Sequence, residues 1–327
     1  MIVPTASVPN DASLSNALAR LRAGEASHLP DIVVPLSSTA WTPNGSLIVP
    51  DLGEVVVNEW AREQLSNLLG VRFDRWFQTA SPEEQADEMT RRLQRARNKV
   101  RLRLAQGTCG PILRALVSPS YSAVQDSSLL SAVIDSLEGS SPRLHRIELT
   151  QRMTCVVVTV GEPQTAGGIV GALWGSLTIV NSGVGWSGLS VTLSIVRLVC
   201  KNGMSAPIHE AQVIRVRHRA IDMGAIQDQL GGKLKAVPEI LSRAARTLEA
   251  STDWRIVNVE AEARERLREK GMIRNHLSGV LAAYRQEPHQ SVFGISQAFT
   301  RHAQAVSPEA RLALENLAGS YVARSAT

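Results

Sequence analysis

Residues 179–204 read IVNSGVGWSGLSVTLSIVRLVCKNGM, and the pattern within them sets the kind of fold the rest of the chain must complete. Leu189, Val191, Leu193, Ile195 and Arg197 alternate with Ser190, Thr192, Ser194, Val196 and Leu198. That is the two-residue period of a half-buried strand. Lys201-Asn202-Gly203 closes the run, and Asn-Gly favours a tight turn with positive φ. Upstream, Trp174 to Val180 has the character of a second strand. Asn181, Ser182, Gly183, Gly185 and Gly188 form a polar, flexible connection around Trp186. The three glycines spell GxGxxG, but a strand follows them where a dinucleotide site needs a helix.

Further strands are predicted on both sides. His145 to Leu149 and Met153 to Val160 precede a glycine-rich loop, Gly161 to Gly171, which lacks the Gly-Lys-Ser/Thr ending of a phosphate loop. Ala211 to Ala220 reads AQVIRVRHRA; as a strand it sets Arg215, Arg217 and Arg219 on one face. Arg197 shares a face with Leu193 and Ile195, so it is either buried with a partner or lies where the strand has left the core. From Met223 the pattern is helical, broken near Pro238, Pro288 and Pro308.

Toward the N-terminus, Ala12 to Ala23 suits a short helix, and Asp31–Leu36 and Gly45–Val49 suit short strands. Asn58 is a good N-cap for a helix stopped by Gly70. Phe73, Trp76 and Phe77 form either local core or a base-stacking platform. Ser81-Pro82-Glu83-Glu84 is a capping box with proline at the first helical position. The helix it opens runs into Arg91, Arg92, Arg95, Arg97 and Lys99, followed by Arg101 and Arg103, with no acid among them. Another helix is expected over Ser127–Leu137. The expected class is α+β: a central antiparallel sheet with flanking helices and a helical C-terminal region. Its parts are an extension over 1–50, a core over 51–222 and the helical region over 223–327.

The chain has 327 residues, is 44% hydrophobic and 20% charged, and carries a formal charge of +5. That composition belongs to a globular protein. Cys109, Cys155 and Cys200 are far apart, which argues against a disulfide framework or zinc site. The histidines form no HExxH, and no GxSxG occurs, so no catalytic set, metal or cofactor is expected. No apolar run reaches the roughly 18 residues of a membrane span. A cytoplasmic protein without membrane contact is expected.

Three segments carry a family resemblance. Ser182, Gly185, Arg197, Cys200, Asn202 and Gly203 fit one pattern; Arg114 to Tyr121, read RALVSPSY, fits another; Ala61 to Gly70 fits a third. Together they resemble the phage/plasmid-like protein family of unknown function, domain of unknown function nine-thirty-two. The resemblance implies a mobile-element setting and no chemistry. Charge and analogy with single-strand annealing proteins lead to the functional expectation: a single-stranded DNA binding or annealing protein that forms a homo-oligomeric ring or filament. Its expected nucleic-acid contacts are Arg91, Arg92, Arg95, Arg97, Lys99, Arg101, Arg103, Arg197, Lys201, Arg215, Arg217 and Arg219. The alternative is a non-catalytic structural or regulatory protein that binds protein partners through its charged C-terminal helices.

Overall fold

The structure is a computed structural model describing residues 13–71, 79–197, 212–219, 223–235 and 237–325. The predicted strands around the glycine-rich connection are β9 (Gly171–Asn181) and β10 (Leu189–Arg197), paired antiparallel from Ser190↔Val180 to Arg197↔Leu173. They sit inside a five-stranded antiparallel sheet with β7 (Arg143–Leu149), β8 (Thr154–Ala166) and β11 (Gln212–Val216), ordered β11-β10-β9-β8-β7. Alternation sends Leu189, Val191 and Leu193 to one face. There they pack with Leu130 and Val133 of α4 (Asp126–Ser136), Leu21 of α1 (Leu14–Glu25) and Leu230 of α5 (Met223–Leu234). Each such side chain contributes roughly 1.5–3 kcal/mol when fully buried. On the other face Ser194 is also buried, and its hydroxyl bonds those of Ser176 and Thr178 at 2.8 and 2.9 Å. The predicted loop over 161–171 is shorter than expected. A register shift after Val160 lets β8 resume pairing with β9 at Gln164, and it continues to Ala166.

A second sheet of six strands precedes it, ordered β1-β5-β6-β4-β3-β2. Its strands are β1 (His28–Pro35), β2 (Ala40–Trp41), β3 (Ser46–Val49), β4 (Gly53–Val57), β5 (Lys99–Gly107) and β6 (Gly110–Val117). β4 and β6 run parallel, which requires a crossover. The crossover contains α2 (Glu59–Leu69) and α3 (Pro82–Arg95). The predicted caps hold. Asn58 accepts from the Ala61 N–H, Gly70 ends α2 at φ 63°, and Ser81 and Glu84 form both bonds of the capping box. The expected basic helix, however, stops at Arg95. The residues after it alternate as Val100, Leu102 and Leu104 against Arg101 and Arg103. The apolar set enters the core of this sheet, so the period is that of a strand.

The C-terminal helices α6 (Val237–Ser251), α7 (Val259–Glu269), α8 (Ile273–Gln286), α9 (Val292–Ala303) and α10 (Pro308–Ser325) enclose a separate core around Phe293 and Phe299. A buried ion network ties α10 to β7. Arg146 makes a two-pronged contact with Glu315 at 2.6 and 2.8 Å, and Arg311 meets Glu148 at 2.5 Å. The surface of α7 is self-neutralised by helical pairs such as Arg264–Glu260 and Arg266–Glu262. No helix among the described residues is long and apolar enough to cross a membrane.

Candidate nucleic-acid interface

The glycine-rich connection between β9 and β10 is a fastener, not the flexible link expected. Tyr121 Oη donates to the Ser182 carbonyl at 2.5 Å, and Arg103 Nη1 donates to that of Gly183 at 2.6 Å. The Val184 carbonyl accepts from Trp60 Nε1 at 2.9 Å and from Gln64 Nε2 at 3.3 Å. At the start of the connection, Asn181 Nδ2 donates to Asp126 of α4 at 2.6 Å. Gly185 sits at φ 78°, and a Cβ there would press on Val117 at 3.0 Å. Gly185 therefore lets the connection come close to β6. Carbonyls that a helix or strand would have used internally are turned toward donors on β5, α2 and the residue 118–122 turn.

This junction brings the two basic segments together. Arg101 donates to the Pro119 carbonyl through Nη2 at 2.6 Å and Nε at 3.2 Å. Three residues on, the Ser122 N–H donates to the His218 carbonyl at 3.0 Å. The Tyr121 and His218 rings lie 4.9 Å apart. The turn over residues 118–122 thus contacts both β5, through Arg101, and the residues that follow β11, through His218. Arg215, Arg217 and Arg219 are all exposed, while His218 between them is 4% exposed. Only Arg215 belongs to the strand itself; Arg217 and Arg219 follow its end.

The remaining expected contacts separate into distinct groups. Arg95, Arg97 and Lys99 are exposed at the α3–β5 connection and form no ion pair among the described residues. Arg91 and Arg92 both pair with Glu88, and hydrogen bonds from Arg91 and then Arg92 lower the Glu88 pKa. Arg92 also caps α2, donating to the Leu69 and Gly70 carbonyls at 2.9 and 3.2 Å. Arg103 pairs with Asp31 at 3.3 Å. Arg197 is a correction to the expected set. It is 3% exposed, donates to the Val170 carbonyl at 2.5 Å, to that of Ile169 and to Gln297 at 2.9 Å, and faces the Phe293 ring. A guanidinium so enclosed cannot reach a phosphate. Lys201 and the Asn202-Gly203 turn lie outside the described residues, as do Phe73, Trp76 and Phe77.

Sequence reasoning missed the polar residues behind the junction. Arg114 Nη1 is buried with no hydrogen-bond partner among the described residues. Burial, and then Arg103, pull the Arg114 pKa down to about 10 against the opposing pull of Asp126, Asp31 and Glu25. Burial raises the Tyr121 hydroxyl to about 12. Burial, followed by Arg114 and Arg103, lowers His28 to about 4. Arg114 and Tyr121 both lie in the RALVSPSY stretch, which was the available signal. Among the described residues no group of three or more His, Cys, Asp or Glu is placed to hold a metal ion. The arrangement suits binding of a polyanion: Arg95, Arg97, Lys99, Arg215, Arg217 and Arg219 are exposed and have no carboxylate partner among the described residues.

A family model described as a domain of unknown function (DUF932) matches residues 114–311. The chain belongs to this family. The DUF932 match begins in β6 and ends in α10, so it takes in the whole five-stranded sheet, the RALVSPSY stretch, the β9–β10 connection and the Arg215–Arg219 row. Five of the six strands of the other sheet, and the Arg91–Arg103 segment, precede it. The junction therefore joins a DUF932 part to an N-terminal part. No curated protein and no solved structure matches the chain.

Proposed function

We propose that this DUF932 protein binds single-stranded nucleic acid, DNA in the first instance, along the basic strip that crosses the junction of its two sheets. The observation that carries the reading is the meeting of Arg95–Arg101 and Arg215–Arg219 on either side of the residue 118–122 turn. These segments are far apart in sequence; apart from Arg101, which lies 4.0 Å from Asp31, their cations have no carboxylate partner among the described residues, and such a strip would attract a phosphate backbone. Binding of this kind is independent of sequence and suits an annealing role in a mobile element. Assembly into a ring or filament would extend the strip across copies of the chain.

Fluorescence anisotropy with a labelled oligothymidylate over a salt series tests the reading. Wild type binds at low salt, and its affinity falls log-linearly as salt rises. Replacing Arg95, Arg97 and Lys99 with Ala lowers affinity and reduces the slope by about 0.7 for each phosphate no longer neutralised. Absence of binding at low salt would sink the reading. Light scattering with and without oligonucleotide tests assembly; a monomer in both conditions removes the ring or filament.

A second reading, a partner-binding protein, draws on the outer face of the six-stranded sheet. Val33, Ile48 and Val56 are 47%, 39% and 45% exposed there. It takes precedence if the oligonucleotide experiment fails.

A further inference from the structure

The basic strip borders a groove of about 540 Å³ lined by Asn67 and Leu68 of α2, Asn98 and Lys99 at the start of β5, and Val117 and Pro119 at the end of β6. We propose that this groove receives a nucleobase of the bound single strand, with the phosphates on either side held by the strip. The inference rests on the function proposed above and adds to it the part of the ligand that charge does not recognise.

Several features distinguish the groove. Its volume falls in the roughly 300–1,000 Å³ range of small-ligand sites, as do those of the other depressions, so its lining sets it apart. It offers apolar surface where a flat ring could lie: Leu68 is 43% exposed in α2, and the exposed Pro119 also lines the groove, with the buried Val117 before it in sequence at the end of β6. The side-chain amides of Asn67 and Asn98 are exposed and make no hydrogen bond among the described residues. An amide carries both donors and acceptors, the complement of a base edge. Lys99 stands at the rim, and no carboxylate lines the groove. Three other depressions differ on this point. One holds Glu25 and Asp135, another Glu84, Asp87 and Glu88, and a third Glu83 and Asp87. An anionic strand would be repelled from each of those.

The groove is also continuous with the strip. Arg101 binds the carbonyl of Pro119, a residue of the groove wall, so the guanidinium nearest the turn fixes that wall. Asn98 is held in place by its main chain, whose carbonyl accepts from the Leu36 N–H at 3.0 Å. A strand held by Lys99 and Arg101 would lie at the groove, and one base turned inward would leave its phosphates on the cations.

The test compares oligothymidylate with an abasic oligomer of equal length, a deoxyribose-phosphate chain without bases. Both present the same charge. Wild type is expected to bind the base-bearing oligomer roughly tenfold more tightly, about 1.4 kcal/mol. The triple variant Asn67→Ala, Leu68→Ser, Asn98→Ala changes exposed positions; its circular dichroism and melting curve establish that it folds. That variant is expected to bind the two oligomers equally, with its affinity for the abasic one unchanged. If wild type binds both oligomers equally, the groove is not a base site, while the strip reading stands. A preference retained by the folded triple variant also overturns the groove. If wild type binds neither oligomer, both readings fall together.

Discussion

Arginines at the sheet junction and arginines beneath the C-terminal helices do opposite work with the same side chain. Under the helices, Arg146 faces the fully buried Glu315, and Arg311 faces Glu148. Charge is matched by charge: even Arg146 Nε, which makes no hydrogen bond, lies 3.4 Å from Glu148, and both guanidiniums are largely buried. At the junction, Arg101 satisfies its donors mainly on the Pro119 carbonyl, with Asp31 4.0 Å away, and Arg114 leaves its Nη1 unpaired. A carbonyl completes a hydrogen bond without cancelling the charge. The first arrangement fastens elements together; the second leaves positive potential at the surface. Arg197 shows that carbonyl bonding alone is insufficient, because burial under Phe293 removes it from reach.

The sharpest way to break this contrast is Glu315→Leu. It leaves Arg146 and Arg311 to share Glu148 in the interior, one buried cation in excess, and the expected loss is about 3–5 kcal/mol by urea denaturation. Adding Arg146→Met should recover most of it, since removing both charges avoids the unpaired one. A single variant as stable as wild type would show that the network is not a fastener.

Arg197→Met comes next, with a loss on the order of 2 kcal/mol from its carbonyl and Gln297 bonds. Its affinity for oligonucleotide should equal that of wild type. Weaker binding by a folded Arg197→Met protein would return this residue to the phosphate-binding strip.

The junction should also respond to pH through His28. Burial and the neighbouring Arg114 and Arg103 hold its folded pKa near 4, below its ordinary 6.5. The unfolded chain therefore takes up a proton that the folded chain refuses. The stability due to neutral His28 is complete above pH 6.5 and is lost as pH falls toward 4. Wild type should melt at progressively lower temperature over that interval, and His28→Gln should show a smaller decline. An NMR titration that puts the ring near its ordinary value would contradict the crowding of positive charge described at the junction.

The smallest effect on stability is expected for Arg217→Ala with Arg219→Ala. Both side chains are exposed, so the change should stay within about 0.5 kcal/mol. The salt slope of oligonucleotide binding should nonetheless fall by roughly 0.7 per phosphate left unneutralised. A large stability loss with an unchanged slope would place these arginines among the fasteners.

Local features were legible from the residues alone. The alternation over 189–197 specified β10, Asn58 and Ser81 marked helix starts, and Gly70 marked a stop, because periods and caps are written within a few neighbouring positions. The α+β class followed from those elements, and so did the two basic runs. The period of β5 was legible too, but the run of cations carried the expected helix on to Lys99, with Arg101 and Arg103 after it. What each arginine does was decided only by tertiary structure. Arg103 meets Gly183 across 80 positions of sequence, and Arg146 meets Glu315 across 169. The role of the glycine-rich connection was hidden for the same reason, since the donors that pin it lie on β5, α2 and the residue 118–122 turn. Periodicity says which face a side chain takes. Whether its charge is cancelled depends on which carboxylate the fold carries to it, and no local pattern encodes that distance.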